Sequence, residues 1–244
     1  MRKTIIITGA NRGIGRASVK AFAERDYDIW ACARKPGEAF EADMAEESAR
    51  TGALITPVYF DLLSEEEIKR GVKAILSEKR NVDVLLNCAG IPYSGLLTMT
   101  PLEKLREVYQ VNVFAQVQIM QLVARRMMRQ KQGCIINLCS AGGIEAQPGY
   151  LAYVSSKAAM IWMTRCVSRE LGAWNIRVNG IAPGLVDTDM GGFKSDAERE
   201  KMLERTSLGR LGQPEEIAAA AVYLASKEAA FMTGHIMVLD GGRV

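Results

Sequence analysis

The sequence of 244 residues contains one histidine, His235. A single imidazole argues against a histidine metal site and against a Ser-His-Asp triad. The five cysteines are odd in number and lack the paired spacing of zinc or iron–sulfur ligands. We therefore predict no metal site, and we interpret the cysteines as small buried side chains of a protein in a reducing compartment.

Long hydrophobic runs and clustered charge are also absent. No apolar run approaches the roughly 18 residues of a membrane-spanning helix. The apolar run in the amino-terminal MRKTIIITG is too short to form the hydrophobic core of a signal peptide. A formal net charge of +3 is too small to suggest nucleic-acid binding. We expect a cytoplasmic protein with neither a membrane nor a nucleic acid as its partner.

What the sequence does contain is an alternation of strand and helix patterns. Seven short apolar runs predict strands at Lys3–Thr8, Tyr27–Ala33, Leu54–Phe60, Val82–Asn87, Gly133–Cys139, Arg177–Ala182 and Ile236–Leu239. Helical patterns lie between them at about 13–25, 38–51, 64–79, 101–131, 151–173 and 214–225. Because apolar strands joined by helices form parallel sheets covered on both faces, we predict a doubly wound α/β fold of the Rossmann type. Without an obvious linker or repeat, residues 1–244 are expected to form a single domain.

One segment departs from this alternation. Residues 188–211 include Gly191-Gly192 and the charged stretch SDAEREKMLERT. An insertion of this length between a strand and the last helix predicts a substrate lid. A solvated pair of surface helices is the alternative interpretation.

The stretch TGANRGIGR, residues 8–16, joins the first strand to the first helix. Gly9 permits a sharp turn, while Gly13 and Gly15 allow backbone and helix to approach a ligand closely. The loop lies at the carboxyl edge of the predicted sheet, where the helix N-terminus favours a pyrophosphate. We therefore predict a dinucleotide cofactor.

Charge at the end of the second strand indicates which dinucleotide it is. That strand ends in ACARK, which places Arg34 and Lys35 where an acidic residue would bind a ribose 2′-hydroxyl. Arg12 lies within the glycine loop itself. Guanidinium groups bind a phosphate bidentately, so these cations favour the 2′-phosphate of NADP(H).

Two further strand ends are expected at the same edge of the sheet. Asp61 and Leu62 follow the third strand, and the Asp61 carboxylate can reach the adenine amino group. Asn87, Ala89 and Gly90 belong to the turn after the fourth strand, which can lie along the cofactor. A turn or helix-capping role is the alternative for Asp61.

A catalytic set follows the fifth strand. Ser140 comes directly after it, and Tyr153 and Lys157 are one helical turn apart, so both project from one helix face. A phenol is a poor acid at neutral pH, but a neighbouring ammonium favours the phenolate. Tyr153 can then exchange a proton with a carbonyl oxygen while Ser140 donates a hydrogen bond to it. The pattern predicts hydride transfer to a ketone.

Together these motifs resemble the classical short-chain dehydrogenase/reductase family from Thr8 almost to the carboxyl terminus. The glycine loop matches the family's motif, and NCAG at 87–90 is similar to its Asn-Asn-Ala-Gly turn with Cys88 as a departure. The resemblance implies that Asn112 supports a water-linked proton relay from Lys157. It also implies that Pro183-Gly184 packs against the nicotinamide and that Thr188 bonds its carboxamide.

The motifs and the resemblance together define the expected site. The catalytic residues are Asn112, Ser140, Tyr153 and Lys157. The residues expected to contact the cofactor are Gly9, Asn11, Arg12, Gly13, Ile14, Gly15, Arg34, Lys35, Asp61, Leu62, Asn87, Ala89, Gly90, Tyr153, Lys157, Pro183, Gly184, Val186 and Thr188.

Within the family the chain is most similar to the 3-oxoacyl-[acyl-carrier-protein] reductases of bacterial fatty-acid synthesis, on the stretches NGIAPGLVDTDM, LGRLGQPEEI and YLASKEAAFMTGHIMVLDGG. The resemblance implies NADPH dependence, a tetramer and an acidic carrier protein as a possible partner. Basic residues that could face such a carrier are Arg125, Arg126, Arg129, Lys131, Arg165 and Arg169, although solvated cations at helix ends give the same pattern. Trp174 stands nearby, where carrier-using relatives tend to be basic.

Three other functions are compatible with the sequence. They are reduction of a sugar, polyol or other small ketone, oxidation of an alcohol as the physiological direction, and an inactive family member that senses the cofactor.

The helices at 101–131 and 151–173 carry many apolar residues, among them Met120, Met127, Met128, Met160, Trp162 and Met163. Such an excess suggests burial against both the sheet and a partner subunit, with burial in the core alone as the alternative.

Overall fold

Seven parallel strands form one sheet in the order β3-β2-β1-β4-β5-β6-β7. The structure is a computed structural model that describes residues 2–78, 80–189, 200 and 203–242. The sheet confirms the predicted doubly wound α/β fold. Half of the expected lid over 188–211, namely residues 190–199, 201 and 202, lies outside the described residues.

The observed strands follow the predicted apolar runs closely. They are β1 (Lys3–Thr8), β2 (Tyr27–Ala33), β3 (Ile55–Tyr59), β4 (Val84–Asn87), β5 (Gly133–Leu138), β6 (Ile176–Pro183) and β7 (Ile236–Leu239). β4 begins two residues later than expected, because Asp83 directs its carboxylate to the backbone of Thr4 (Thr4 N to Asp83 Oδ2, 2.8 Å). β6 extends one residue further at each end.

Helices cover both faces of this sheet. They are α1 (Gly13–Ala23), α2 (Glu38–Thr51), α3 (Glu65–Ser77), α4 (Leu102–Tyr109), α5 (Ala115–Gln130), α6 (Leu151–Leu171) and α7 (Pro214–Ala225). Ile5 and Ile7 of β1 pack on the face with α1 and α7, while Ile6 packs on the face with α3, α5 and α6. All three isoleucines are fully buried, as expected for a strand covered on both sides.

The single helix expected over 101–131 is instead interrupted. A π-helical turn, Gln110–Phe114, separates α4 from α5, and the backbone N–H of Ala115 donates to Gln110 O, five residues back. Apolar periodicity alone does not reveal an inserted residue of this kind. Such turns occur frequently at functional sites, and this one contains Asn112.

The cysteines are free thiols, and four of the five are buried, as the apolar runs around them predicted. Burial raises the pKa of Cys134 and of Cys139 to about 11 and that of Cys88 to about 12. These three thiols are therefore protonated at neutral pH. None of the helices in the described part of the chain has the length and apolar character required to cross a membrane.

Candidate active site

The strand order reverses between β1 and β4, and open α/β sheets bind ligands in the crevice at such a point. A cavity of about 400 Å³ lies there. Its walls come from the glycine loop, the ends of β2 and β3, the turn after β4 and the segment after β6. The lining residues named in the sequence analysis are Gly9, Asn11, Arg12, Gly13, Ile14, Gly15, Arg34, Asp61, Leu62, Ala89, Gly90 and Thr188.

The glycine loop is packed too tightly for side chains at two positions. Gly9 has φ +68°, and a Cβ there would lie 2.9 Å from Ala89 Cα. A Cβ on Gly15 would lie 2.1 Å from the carbonyl oxygen of Gly9. The loop therefore leaves its backbone open toward the cavity at the N-terminus of α1, an arrangement suited to a pyrophosphate.

Cations lie at the end of the cavity where a 2′-phosphate was expected. Arg12 and Arg34 both line the cavity and are exposed, whereas Lys35 is exposed but not among the lining residues. Arg12 Nη1 lies 3.6 Å from Asp189 Oδ2, which links the glycine loop to the segment after β6. Two guanidinium groups at one cavity fit a phosphate dianion.

The turns after β3 and β4 take different positions. Asp61 lines the cavity, and its Oδ1 also accepts from Leu63 N at 2.9 Å, so it has the turn role considered as its alternative. Asn87 is buried and is not among the lining residues; its Nδ2 donates to Oδ1 of Asn137 on the adjacent strand β5 at 2.9 Å. Asn87 thus fixes the end of β4 from behind the cavity.

The segment after β6 reaches the glycine loop through Thr188. A Cβ built on Gly13 would lie 3.1 Å from Thr188 Cγ2, so the Thr188 side chain packs closely against the backbone of Gly13. Pro183, Gly184 and Val186 are not among the lining residues of the described cavity. Val186 forms an isolated β-bridge with Gly212, which holds the segment in place.

Ser140, Tyr153 and Lys157 are not among the lining residues of the cavity, but Lys157 bonds Leu138, which is. Ser140 follows β5, and its Oγ accepts from Gly142 N at 3.1 Å, which leaves the hydroxyl hydrogen for another acceptor. Lys157 is 4 % exposed, and its Nζ donates to Leu138 O at 2.8 Å. The same Nζ lies 5.8 Å from the centroid of the Tyr153 ring. The lysine is therefore held beside the tyrosine by β5.

Both the oxygen and the nitrogen of the Asn112 side-chain amide are hydrogen-bonded. Oδ1 accepts from Ile91 N at 2.8 Å, and Nδ2 donates to Ile91 O and to Ser156 Oγ, both at 3.0 Å. The side chain thus joins the turn after β4 to α6, next to Lys157. A Cβ on Gly90 would lie 3.1 Å from Asn112 Oδ1 and 3.4 Å from Lys157 Nζ, so Gly90 brings the cavity wall to both residues.

These features fit a phosphorylated dinucleotide. The glycine loop, Thr188 and the two arginines would hold the phosphates and the nicotinamide end, and Asp61 lies where the adenine is expected. The ammonium of Lys157 has three hydrogens, of which one bonds Leu138 O. The others are available to ribose hydroxyls at the adjoining cavity.

Comparison with known proteins identifies the family. The family model described as enoyl-(acyl carrier protein) reductase, of the short-chain dehydrogenase/reductase type, matches residues 9–243. The chain belongs to the short-chain dehydrogenase/reductase family. It is an NADP(H)-dependent oxidoreductase, as the glycine loop and its arginines predicted.

Two curated relatives are similar over nearly their whole length. One is a 3-oxoacyl-[acyl-carrier-protein] reductase FabG of Chlamydia trachomatis serovar D, 36 % identical over 244 residues, covering 99 % of this chain and 97 % of the relative. The FabG of Thermotoga maritima is 34 % identical over 245 residues, covering 99 % and 98 %.

Two crystal structures share the fold closely. One is a putative NAD(P)-dependent gluconate 5-dehydrogenase from Beutenbergia cavernae with bound NADP at low occupancy, with a TM-score of 0.93, 29 % identity, and coverage of 98 % of this chain and 96 % of that one. The other, gox2181, has a TM-score of 0.92 and 28 % identity, with coverage of 99 % and 95 %.

Sequence reasoning missed several residues that support this reductase's site. Thr8 Oγ1 accepts from Cys88 N at 3.0 Å and from Ala89 N at 3.1 Å. Ser156 bonds Asn112, and Gln116 donates to backbone carbonyls beside the cavity. The available signal for Gln116 was its place one helical turn after Asn112, on the same helix face as that predicted site residue.

Proposed function

We propose that this short-chain dehydrogenase/reductase reduces the ketone of a 3-oxoacyl thioester to a secondary alcohol, with NADPH as the reductant. The observation that carries the proposal is that Lys157, which lies beside the Tyr153 ring, donates to the carbonyl of Leu138, and Leu138 lines the same cavity as the glycine loop and the two arginines. The curated relatives named for this activity, at 34–36 % identity over nearly full length, support the substrate class.

The proposed mechanism assigns one task to each residue. NADPH, when bound, supplies the hydride that reduces the carbonyl carbon. Ser140 donates a hydrogen bond that orients the carbonyl oxygen, and Tyr153 gives its phenolic proton to that oxygen. Lys157, positioned by Leu138 O, favours the phenolate that results. Asn112 contributes by holding the Ile91 backbone and the Ser156 hydroxyl beside Lys157.

A carrier protein is part of this proposal. Arg125, Arg129, Lys131 and Arg169 are exposed on α5 and α6 or directly after α5, which suits an acidic partner. Arg126 instead donates to Leu76 O, and Arg165 stacks on the Trp162 ring with 4.9 Å between its Cζ and the centroid. The first four residues are therefore the better candidates for carrier contacts.

A homotetramer is proposed on separate grounds. Met120, Met127 and Met160 are buried within the chain, so the apolar residues on one face of α5 and of α6 belong to the core. Trp162 is 63 % exposed and Phe114 is 55 % exposed, as expected for side chains that a second subunit covers. The single-domain organisation and the cytoplasmic location stay predictions from the sequence.

Substrate assays test the proposed function directly. With NADPH, we expect kcat/KM for an acetoacetyl thioester to exceed that for every ketose or polyol-derived ketone of a matched panel. Reduction of a sugar acid ketone with higher efficiency would instead favour the second candidate function, which the gluconate 5-dehydrogenase structure supports. Failure to oxidise NADPH with any ketone would contradict both candidates.

Cofactor preference tests the assignment of the arginines. Arg12→Ala and Arg34→Ala are each expected to lower the NADPH-to-NADH ratio of kcat/KM by about tenfold or more, because each removes a charged hydrogen-bond donor to the 2′-phosphate. Activity with NADH should change little. Steady-state kinetics with both cofactors measure the effect.

Arg16→Ala serves as the matched control. Arg16 carries the same charge, follows the glycine loop and pairs with Asp43, but it does not line the cavity. Its ratio should stay at the wild-type value. An equal decrease in all three variants would show that general charge, and not direct contact, sets the preference.

A further inference from the structure

Gln116 is a buried polar residue to which the mechanism above gives no task. It lies in the first turn of α5, four residues after Asn112, and is 2 % exposed. Its Nε2 donates to Ala89 O and to Val111 O, both at 3.1 Å. Because both neighbours are carbonyl oxygens, the amide must present its NH₂ group to them.

Both of these carbonyls belong to walls of the cofactor cavity. Ala89 and Val111 each line the cavity, one from the turn after β4 and the other from the π-turn. At the π-turn the N–H of Ala115 bonds Gln110 O, whereas in a regular α-helix it would bond Val111 O. The side chain of Gln116 thus satisfies a carbonyl at the irregular turn and ties it to the neighbouring wall.

The turn after β4 is consequently held by side chains on three sides. Thr8 Oγ1 accepts from Ala89 N, Gln116 donates to Ala89 O, and the Asn112 amide bonds both backbone groups of Ile91. Gly90 lies between these contacts and faces Lys157. Any shift of the Ala89 carbonyl therefore moves the wall beside Lys157.

We propose that Gln116 is a positioning residue for catalysis. It fixes the turn after β4 against the π-turn, and in this way sets the position of the cofactor relative to Lys157 and Tyr153. The proposal rests on the NADPH-dependent reduction proposed above. It predicts an effect on cofactor binding and turnover, not only on stability.

Gln116→Met tests this role, since methionine has a similar length and fills the site without a donor. We expect Kd for NADPH, measured by fluorescence titration, to rise about tenfold and kcat to fall by a similar factor. KM for the ketone should change less than twofold. Gln116→Glu retains the shape of the side chain and offers at most one hydrogen to two carbonyls, so it should show the same direction of change.

Gln118→Met is the matched control on the same helix. Gln118 also donates one amide hydrogen bond, to Glu65 O at 2.8 Å, but this bond joins α5 to α3 away from the cavity. Its kinetic constants should equal those of the wild type. If the Gln116 variants that fold lower only Tm, with Kd and kcat unchanged, the role of Gln116 is structural and the inference is wrong.

Measurements on the wild-type enzyme distinguish failure of the proposed function from failure of the positioning role of Gln116. If it neither binds NADPH nor reduces a ketone, the proposed function fails irrespective of Gln116. If the wild type is active and both Gln116 variants retain its constants, only the positioning role fails. Should one variant not fold, the other still decides between these outcomes.

Discussion

Tyr153→Phe is expected to lower kcat by about 10²- to 10⁴-fold, the usual contribution of a positioned general acid. The substitution removes one hydroxyl and keeps the ring, which lies 5.8 Å from Lys157 Nζ. Binding of NADPH should stay within about twofold of the wild type, because the glycine loop and the arginines are unchanged. Single-turnover kinetics and fluorescence titration measure the two quantities.

Tyr150→Phe provides the control for this experiment. Tyr150 directly precedes α6, and its backbone forms a β-bridge with Gly95. Unlike Tyr153, it is not one helical turn away from Lys157 in the sequence. Loss of the Tyr150 hydroxyl group should leave kcat close to the wild-type value. A kcat near normal in Tyr153→Phe would rule out the proposed mechanism.

Gly15→Ala is expected to lower kcat/KM with NADPH about 100-fold. Its new Cβ would lie 2.1 Å from Gly9 O and 2.7 Å from Gly9 C, and these are backbone atoms that cannot rotate away. The loop must therefore move by about 1 Å, a displacement that can cost about two orders of magnitude in rate. The free energy of unfolding should also fall by about 1–3 kcal/mol because the site is overpacked.

Gly172→Ala is the matched glycine substitution. Gly172 follows α6 with φ −57°, and a Cβ there has no neighbour within 4 Å among the described residues. Its kinetic constants should be unchanged, and its stability should be equal or slightly higher. If Gly15→Ala binds NADPH as tightly as the wild type, the close approach within the glycine loop is not required for the cofactor.

Much of the fold could be predicted because its signals are local. The apolar runs of β1, β2 and β7 have the predicted bounds, and the helices are separated by recognisable strand ends. The irregular turn at Gln110–Phe114 could not be predicted in the same way. Its apolar residues continue the helical pattern, while the extra residue shows only in the backbone hydrogen bonds.

In the candidate site, too, contacts between residues close in the sequence could be predicted and contacts between distant residues could not. Tyr153 and Lys157 are one turn apart, so helical geometry alone places them together. The partners of Asn112 come from Ile91 and Ser156, which are 21 and 44 residues away. The pairing of Arg12 with Asp189 joins still more distant parts of the chain. No periodicity in the sequence encodes such contacts.

The sequence by itself determined the order of strands and helices along the chain, the glycine loop and the one-turn spacing of Tyr153 and Lys157, because each depends on residues close together in the chain. Only the tertiary structure decided how the cavity walls are held. Thr8, Asn112 and Gln116 act on the turn after β4 from three separate elements. Their roles arise from the packing of β1, the π-turn and α5 around one crevice, and that packing exists only once the sheet has formed.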